Sequence, residues 1–69
     1  MEFDKNGLER MDGESDKIFN ERVDFIKKVL KDNKSLKEAI NLSKIWMNYT
    51  YNNCRYQPEV FSKLKIYLN

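Results

Sequence analysis

The sequence predicts a small all-α protein, a three-helix bundle preceded by a flexible acidic N-terminal arm. Apolar residues recur at helical spacing in three stretches, and each stretch opens on a helix-start signal. One Pro and two Gly in 69 residues are too few for a turn-rich β protein. We expect helices over about residues 16–32, 35–52 and 58–68. They form a single helical domain over residues 15–69, and the arm covers residues 1–14.

The size and composition limit how this fold is stabilised. A chain of 69 residues leaves much of its surface in water, so small domains commonly add a disulfide, a metal or a second subunit. Cys54 is the only cysteine and there is no His. The sequence therefore excludes an internal disulfide and predicts no metal site. Regular packing between helices, with or without a second subunit, is the remaining means of stabilising the fold.

The arm has little helical character. Gly7 and Gly13 interrupt it, and Phe3, Leu8 and Met11 are too sparse for an apolar face. A frayed terminus is the usual structure of such a segment. The alternative is that Phe3 and Leu8 dock on the bundle or on a partner.

The first predicted helix begins near Asp16, where Ser15 or Asp16 can cap the free amides. It should end near Asn33, since Asn readily adopts the left-handed conformation that closes helices. One apolar face is formed by Phe19, Val23, Ile26, Val29 and Leu30. The positions that flank and widen this face are Ile18, Arg22 and Phe25.

The second predicted helix is the most strongly marked. Ser35-Leu36-Lys37-Glu38 fits a capping box, in which the Ser and Glu side chains each accept an amide proton from the other residue. Two apolar stripes follow, which indicates burial by two neighbours, or by one neighbour and another subunit. The stripes comprise Leu36, Ala39, Ile40, Ser43, Trp46, Met47 and Thr50, and beside them Leu42, Ile45 and Tyr49. Tyr and Thr alternate at the start of Asn48–Tyr56, so a local hairpin is the main alternative there.

The third predicted helix begins with Pro58, because a missing amide is harmless at the first helical position. Glu59 suits the positive end of the helix dipole. The apolar face of this helix comprises Val60, Phe61, Leu64, Tyr67 and Leu68.

Common catalytic motifs are missing from the sequence. Without His the usual general base near neutral pH is absent, and there is no glycine-rich phosphate loop or nucleophile elbow. We expect no enzymatic activity, no cofactor and no small-molecule substrate. Arg55 beside Cys54 favours a thiolate, but an inert cysteine is the commoner role.

The sequence also predicts a cytoplasmic protein with no membrane contact. No apolar run approaches the roughly 18 residues of a membrane span. The first ten residues lack the apolar core of a signal peptide, and a single cysteine is typical of a reducing compartment.

Charge is unevenly distributed along the chain. Residues 1–24 hold eight acidic and four basic side chains, whereas residues 25–69 hold three acidic and nine basic ones. Such asymmetry indicates either polyanion binding or a solvated domain with an acidic leader, and the solvated domain is the commoner case.

The leading hypothesis is a non-enzymatic, regulatory protein-interaction module that binds another protein or a second copy of itself. Trp, Tyr and Arg are enriched at interface hot spots, and several gather near the junction of the second and third helices. The candidate partner-binding residues are Trp46, Tyr49, Tyr51, Arg55 and Tyr56.

The alternative is nucleic-acid binding, in the manner of a transcription regulator. Five lysines cluster where the first helix ends and the second begins, which predicts a basic corner able to contact phosphates. These residues are Lys27, Lys28, Lys31, Lys34 and Lys37. A third hypothesis is a structural subunit of a larger assembly, encoded by a virus or mobile element.

Overall fold

The computed structural model describes Asp4 and residues 7–68, and these residues contain three consecutive α-helices. These are α1 (Asp16–Leu30), α2 (Leu36–Tyr51) and α3 (Pro58–Lys65). The described residues contain no strand, so the predicted all-α three-helix fold is confirmed. The hairpin alternative over Asn48–Tyr56 is wrong, because α2 continues to Tyr51.

Each helix begins where its local signal predicts. The Ser15 Oγ accepts from the Ile18 amide at 3.2 Å, and the Ser35 Oγ accepts from the Glu38 amide at 3.1 Å. Pro58 occupies the first position of α3. The returning half of the predicted capping box is wrong, since within the described chain the Glu38 carboxylate accepts nothing from the Ser35 amide.

Two asparagines close the first two helices. Asn33 has φ 62° and Asn53 has φ 55°, in the left-handed region that Asn tolerates better than most residues. The predicted ends of α1 and α3 extend too far, since α1 ends at Leu30 and α3 at Lys65. At both ends the chain continues in turns: the Asn33 amide donates to the Leu30 carbonyl, and the Tyr67 amide to the Leu64 carbonyl.

α2 contacts both other helices, and the core lies between the three. Ile26, Val29, Ala39 and Leu64 have no exposed surface. The other buried members of this core are Phe25, Leu30, Leu42 and Tyr67.

Tyr67 ties the chain beyond α3 to α1. Its ring meets that of Phe25 edge-on at 5.7 Å, and its hydroxyl donates to the Asp32 Oδ2 at 2.8 Å. The Lys28 Nζ donates to the Tyr67 carbonyl at 3.3 Å. Burial, together with the hydrogen bond to Asp32 and nearby negative charge, raises the pKa of Tyr67 to about 12.

Between residues 8 and 14, the N-terminal segment lies against the helices. Leu8 is packed against the core cluster, as in the docking alternative, and Glu14 is buried. Phe3 lies outside the described residues, so its docking stays a prediction. The flexibility of the arm and the division at residue 15 also stay predictions. No helix of the described chain combines the length and apolar character needed to cross a bilayer.

Candidate functional site

A buried ion pair joins the N-terminal segment to α1. The Arg22 Nε donates to the Glu14 Oε2 at 2.6 Å, and the Arg22 Nη2 donates to the Glu14 Oε1 at 3.1 Å. Neither side chain has exposed surface. Burial alone would raise the pKa of Glu14, but hydrogen bonds from Arg22 and the Met11 amide, with the charges of Arg22 and Arg10, lower it below 4.5.

The remaining donors of Arg22 reach two other parts of the chain. Its Nη1 donates to the Ser43 Oγ on α2 at 3.3 Å, and its Nη2 donates to the Glu9 carbonyl at 2.8 Å. Ser43 in turn donates to the Ile40 carbonyl at 2.6 Å. One guanidinium therefore binds the N-terminal segment, α1 and α2 together. We call this group the Arg22 clamp.

The Arg22 clamp is satisfied by the chain itself. Among the described residues no buried side-chain nitrogen or oxygen lacks a hydrogen-bond partner, so none is aimed at a ligand. Arg10 completes the surroundings: its guanidinium lies 4.4 Å from the centre of the Phe19 ring and 2.7 Å from Asp16. The arrangement is therefore a structural support for the surfaces around it.

The predicted partner-binding aromatics do not form one exposed patch. The Trp46 ring stacks on Phe25 at 5.4 Å, and Tyr51 meets the edge of Trp46 at 5.9 Å. Tyr49 contacts Phe61 of α3 at 5.0 Å instead.

The other predicted partner residues lie at the end of α2 and beyond it. Arg55 is exposed and Tyr56 is half-buried in the loop before α3. Tyr51 is 41% exposed, and its hydroxyl donates to Glu21. That hydrogen bond, with partial burial and the Glu21 charge, raises the pKa of Tyr51. Tyr51 and Arg55 are therefore the most accessible of the five candidates.

The five lysines of the predicted basic corner are exposed, and a sixth, Lys63, lies beside one of them. Lys34 lines a recess together with Lys63 from the last turns of α3, so the end of α3 lies beside the start of α2. The lysines of the corner are Lys27, Lys28, Lys31, Lys34 and Lys37, all exposed. Within the described residues none of these five forms an ion pair. Lys63 was predictable only from the path of α3.

A third surface, which the sequence did not single out, is an open recess along the first half of α2. Its apolar members are Leu36 and Ile40, both half-buried, and its rim carries Lys37, Asn41 and Lys44. We call it the α2 groove. The only sequence signal for it is the surplus of apolar positions on α2. The predicted partner-binding residues lie nearer the other end of that helix, around Tyr49 and Tyr51.

A second recess lies along the second half of α2. Lys44 lines both recesses, and Met47 and Asn48 follow it in the second. Here the opposite wall belongs to the protein's own N-terminal segment, including Glu9 and Asp12. One face of α2 is thus partly covered by residues 9–12 of the same chain, and no described residue from outside α2 and its N-cap lines it further along.

Other chemistry is not assembled in the described chain. No group of three or more His, Cys, Asp or Glu side chains there could hold a metal ion, and Cys54 is exposed.

No protein-family model, curated protein or solved structure matches this chain. The function is therefore inferred from the geometry of these surfaces.

Proposed function

We propose that the protein is a non-enzymatic interaction module that binds another protein through the α2 groove. The observation that carries this proposal is the open recess around Leu36 and Ile40, which neither α1 nor α3 fills. A regulatory role is the expected use of a domain that acts by docking.

Covering Leu36 and Ile40 would stabilise a complex by a modest amount. Fully burying an aliphatic side chain contributes about 1.5–3 kcal/mol, and Leu36 and Ile40 have only part of that gain left to make. Covering both would contribute a few kcal/mol before the entropy of association is subtracted. This range fits a reversible contact better than a permanent subunit interface, which buries far more area.

The aromatic residues have a reduced part in this proposal. Trp46 and Tyr49 already contact rings of α1 and α3, so they contribute mainly to the core. Tyr51 and Arg55 remain accessible and can extend the contact at the far end of α2.

Site-specific photo-cross-linking in the native host tests the proposal. A photo-reactive residue at Asn41, exposed on the groove rim, should cross-link a specific protein. The matched control is the same residue at Asn20, exposed on α1, which should not. Equal labelling from both positions, or none from Asn41, would contradict the proposal. Cross-linking of two copies of the chain would identify the partner as the protein itself.

Polyanion binding is the second candidate, favoured by the meeting of Lys34 and Lys63 in one recess. Exposed lysines without ion-pair partners contact phosphates at low desolvation cost, and the affinity should fall steeply with salt. A gel shift at low and raised salt tests this candidate. Charge reversal at Lys27, Lys28 and Lys31 should weaken binding about equally for all sequences. The absence of a shift even at low salt rules it out.

A further inference from the structure

The described residues that line the α2 groove all lie on one side of α2, and their order along the helix favours a helical occupant. Leu36, Ile40 and Lys44 follow one another at four-residue intervals, so they form a line about 12 Å long on one side of α2. A partner helix can pack along such a line when its own apolar residues recur at positions i, i+3, i+4 and i+7.

The charge at the rim favours an acidic occupant. Lys37 and Lys44 line the groove, and neither has an ion-pair partner within the described chain. Glu38 is the one acid among the described residues of the wall, and it also lines the recess that contains Lys34 and Lys63. Carboxylates on a partner helix would meet lysines at the rim, which speeds encounter and selects the partner.

The protein's own chain supplies an example of the same chemistry. In the recess beside the groove, Lys44 and Met47 line one wall, and the N-terminal segment lines the other with Glu9 and Asp12 and, between them, Arg10 and Met11. A segment with two acids, one base and one apolar side chain thus already lines this face of α2. The α2 groove continues the same face with the same type of residues.

We propose that the α2 groove binds an acidic amphipathic helix of a partner protein, with its apolar residues on Leu36 and Ile40 and its carboxylates beside Lys37 and Lys44. This inference rests on the proposed function. A nucleic acid fits less well, because a phosphate backbone would leave the two apolar side chains uncovered.

Fluorescence anisotropy with a designed peptide tests the proposal. The probe is a labelled acidic peptide of about 18 residues, or five turns, with leucines on one face and glutamates beside them. Its control has every glutamate replaced by glutamine. The acidic peptide should bind at least about tenfold more tightly at low salt, and the difference should shrink at raised salt.

Charge reversal at one lysine locates the contact. Lys44→Glu, in the groove, should weaken binding by about fivefold or more. Lys27→Glu is the matched control, because it makes the same net-charge change at an exposed position outside the groove and should alter binding less than about twofold. Both side chains are exposed, so circular dichroism should show both variants folded.

The outcomes separate this inference from the proposed function. Equal affinity for the glutamine peptide, or equal losses from Lys44→Glu and Lys27→Glu, would overturn the acidic-helix inference, while cross-linking at Asn41 would still support docking. Binding with the expected charge dependence, but no cross-link at Asn41, would support the groove chemistry and reject the proposed function.

Binding seen only after Phe3→Ser would assign the groove to the chain's own N-terminus, and a dimer dissociated by the peptide would assign it to a second copy. Either result overturns the inference.

Discussion

Replacing Glu14 with glutamine should strongly destabilise the fold, because it leaves the Arg22 guanidinium without its counter-charge. Both side chains are fully buried and joined by two hydrogen bonds, at 2.6 and 3.1 Å. Removing one partner of a buried ion pair typically costs about 3–5 kcal/mol. Glutamine keeps one acceptor oxygen, but its NH₂ group would face the guanidinium donors.

The lower end of that range is the better expectation, about 3 kcal/mol, since the N-terminal segment can detach and admit water to Arg22. A domain of 69 residues has a total stability of about 3–10 kcal/mol. The single change therefore removes a large part of the free energy of unfolding.

Urea denaturation, followed by Trp46 fluorescence and circular dichroism, measures this effect. Trp46 is the only tryptophan and stacks on Phe25, so its emission reports the contact of α1 with α2. A double-mutant cycle with Glu14→Gln, Arg22→Met and the double variant isolates the pair. We expect a coupling energy of about 2 kcal/mol, with the double variant recovering much of the lost stability.

A small loss of stability in Glu14→Gln would contradict this role of the ion pair. If Glu14→Gln costs less than about 1 kcal/mol and the coupling is below about 0.5 kcal/mol, the Arg22 clamp does not hold the segment in the way the geometry indicates.

Four further predictions concern pH and single hydrogen bonds. The folded state lowers the pKa of Glu14 below 4.5, so ionised Glu14 contributes to the free energy of unfolding above its unfolded pKa. This stability is lost as pH falls through the folded pKa. Acid denaturation curves of the wild type should show the loss, and those of Glu14→Gln should not. Tyr67→Phe should cost about 1 kcal/mol by removing the bond to Asp32. Since the pKa of Tyr67 is raised to about 12, the wild type should lose more stability than this variant in urea titrations as pH rises from about 10 toward 12. Ser35→Ala should cost about 1 kcal/mol in thermal unfolding, because the Glu38 amide loses its acceptor.

The helix starts and the core face were predictable because their causes are local. Ser15, Ser35 and Pro58 act within one turn of themselves, and Asn33 adopts its positive φ without help from distant residues. The early end of α3 was not predictable in this way. Beyond Lys65 the chain turns so that Tyr67 reaches α1, and that contact depends on the three-dimensional path.

The Arg22 clamp was missed because its members are distant along the chain: Arg22 lies eight positions from Glu14, 13 from Glu9 and 21 from Ser43. A signal was nevertheless present, since Arg22 flanks the apolar face of α1 and a buried arginine requires a carboxylate or carbonyl partner. Three acids precede Arg22 within eight residues, Glu14, Asp16 and Glu21, and the fold brings Glu14 to it. Glu14 instead appeared in the sequence as one of many solvated acids in the leader.

The candidate binding surfaces were only partly predictable. The basic corner stays a prediction from the spacing of its lysines, and the position of Lys63 beside Lys34 depends on where α3 ends. The surplus apolar surface of α2 was foreseen. Its position was not, because the rings of Trp46 and Tyr49 find partners on α1 and α3 and leave Leu36 and Ile40 as the open apolar pair.

Amide chemical-shift mapping of the ¹⁵N-labelled protein, titrated with the acidic helical peptide, tests the central claim most directly. The claim predicts that the largest shifts fall on Leu36, Ile40 and Lys44 along the α2 groove. Shifts confined to Lys28 and Lys63 at the basic end would contradict it, as would a titration that moves no amide of α2.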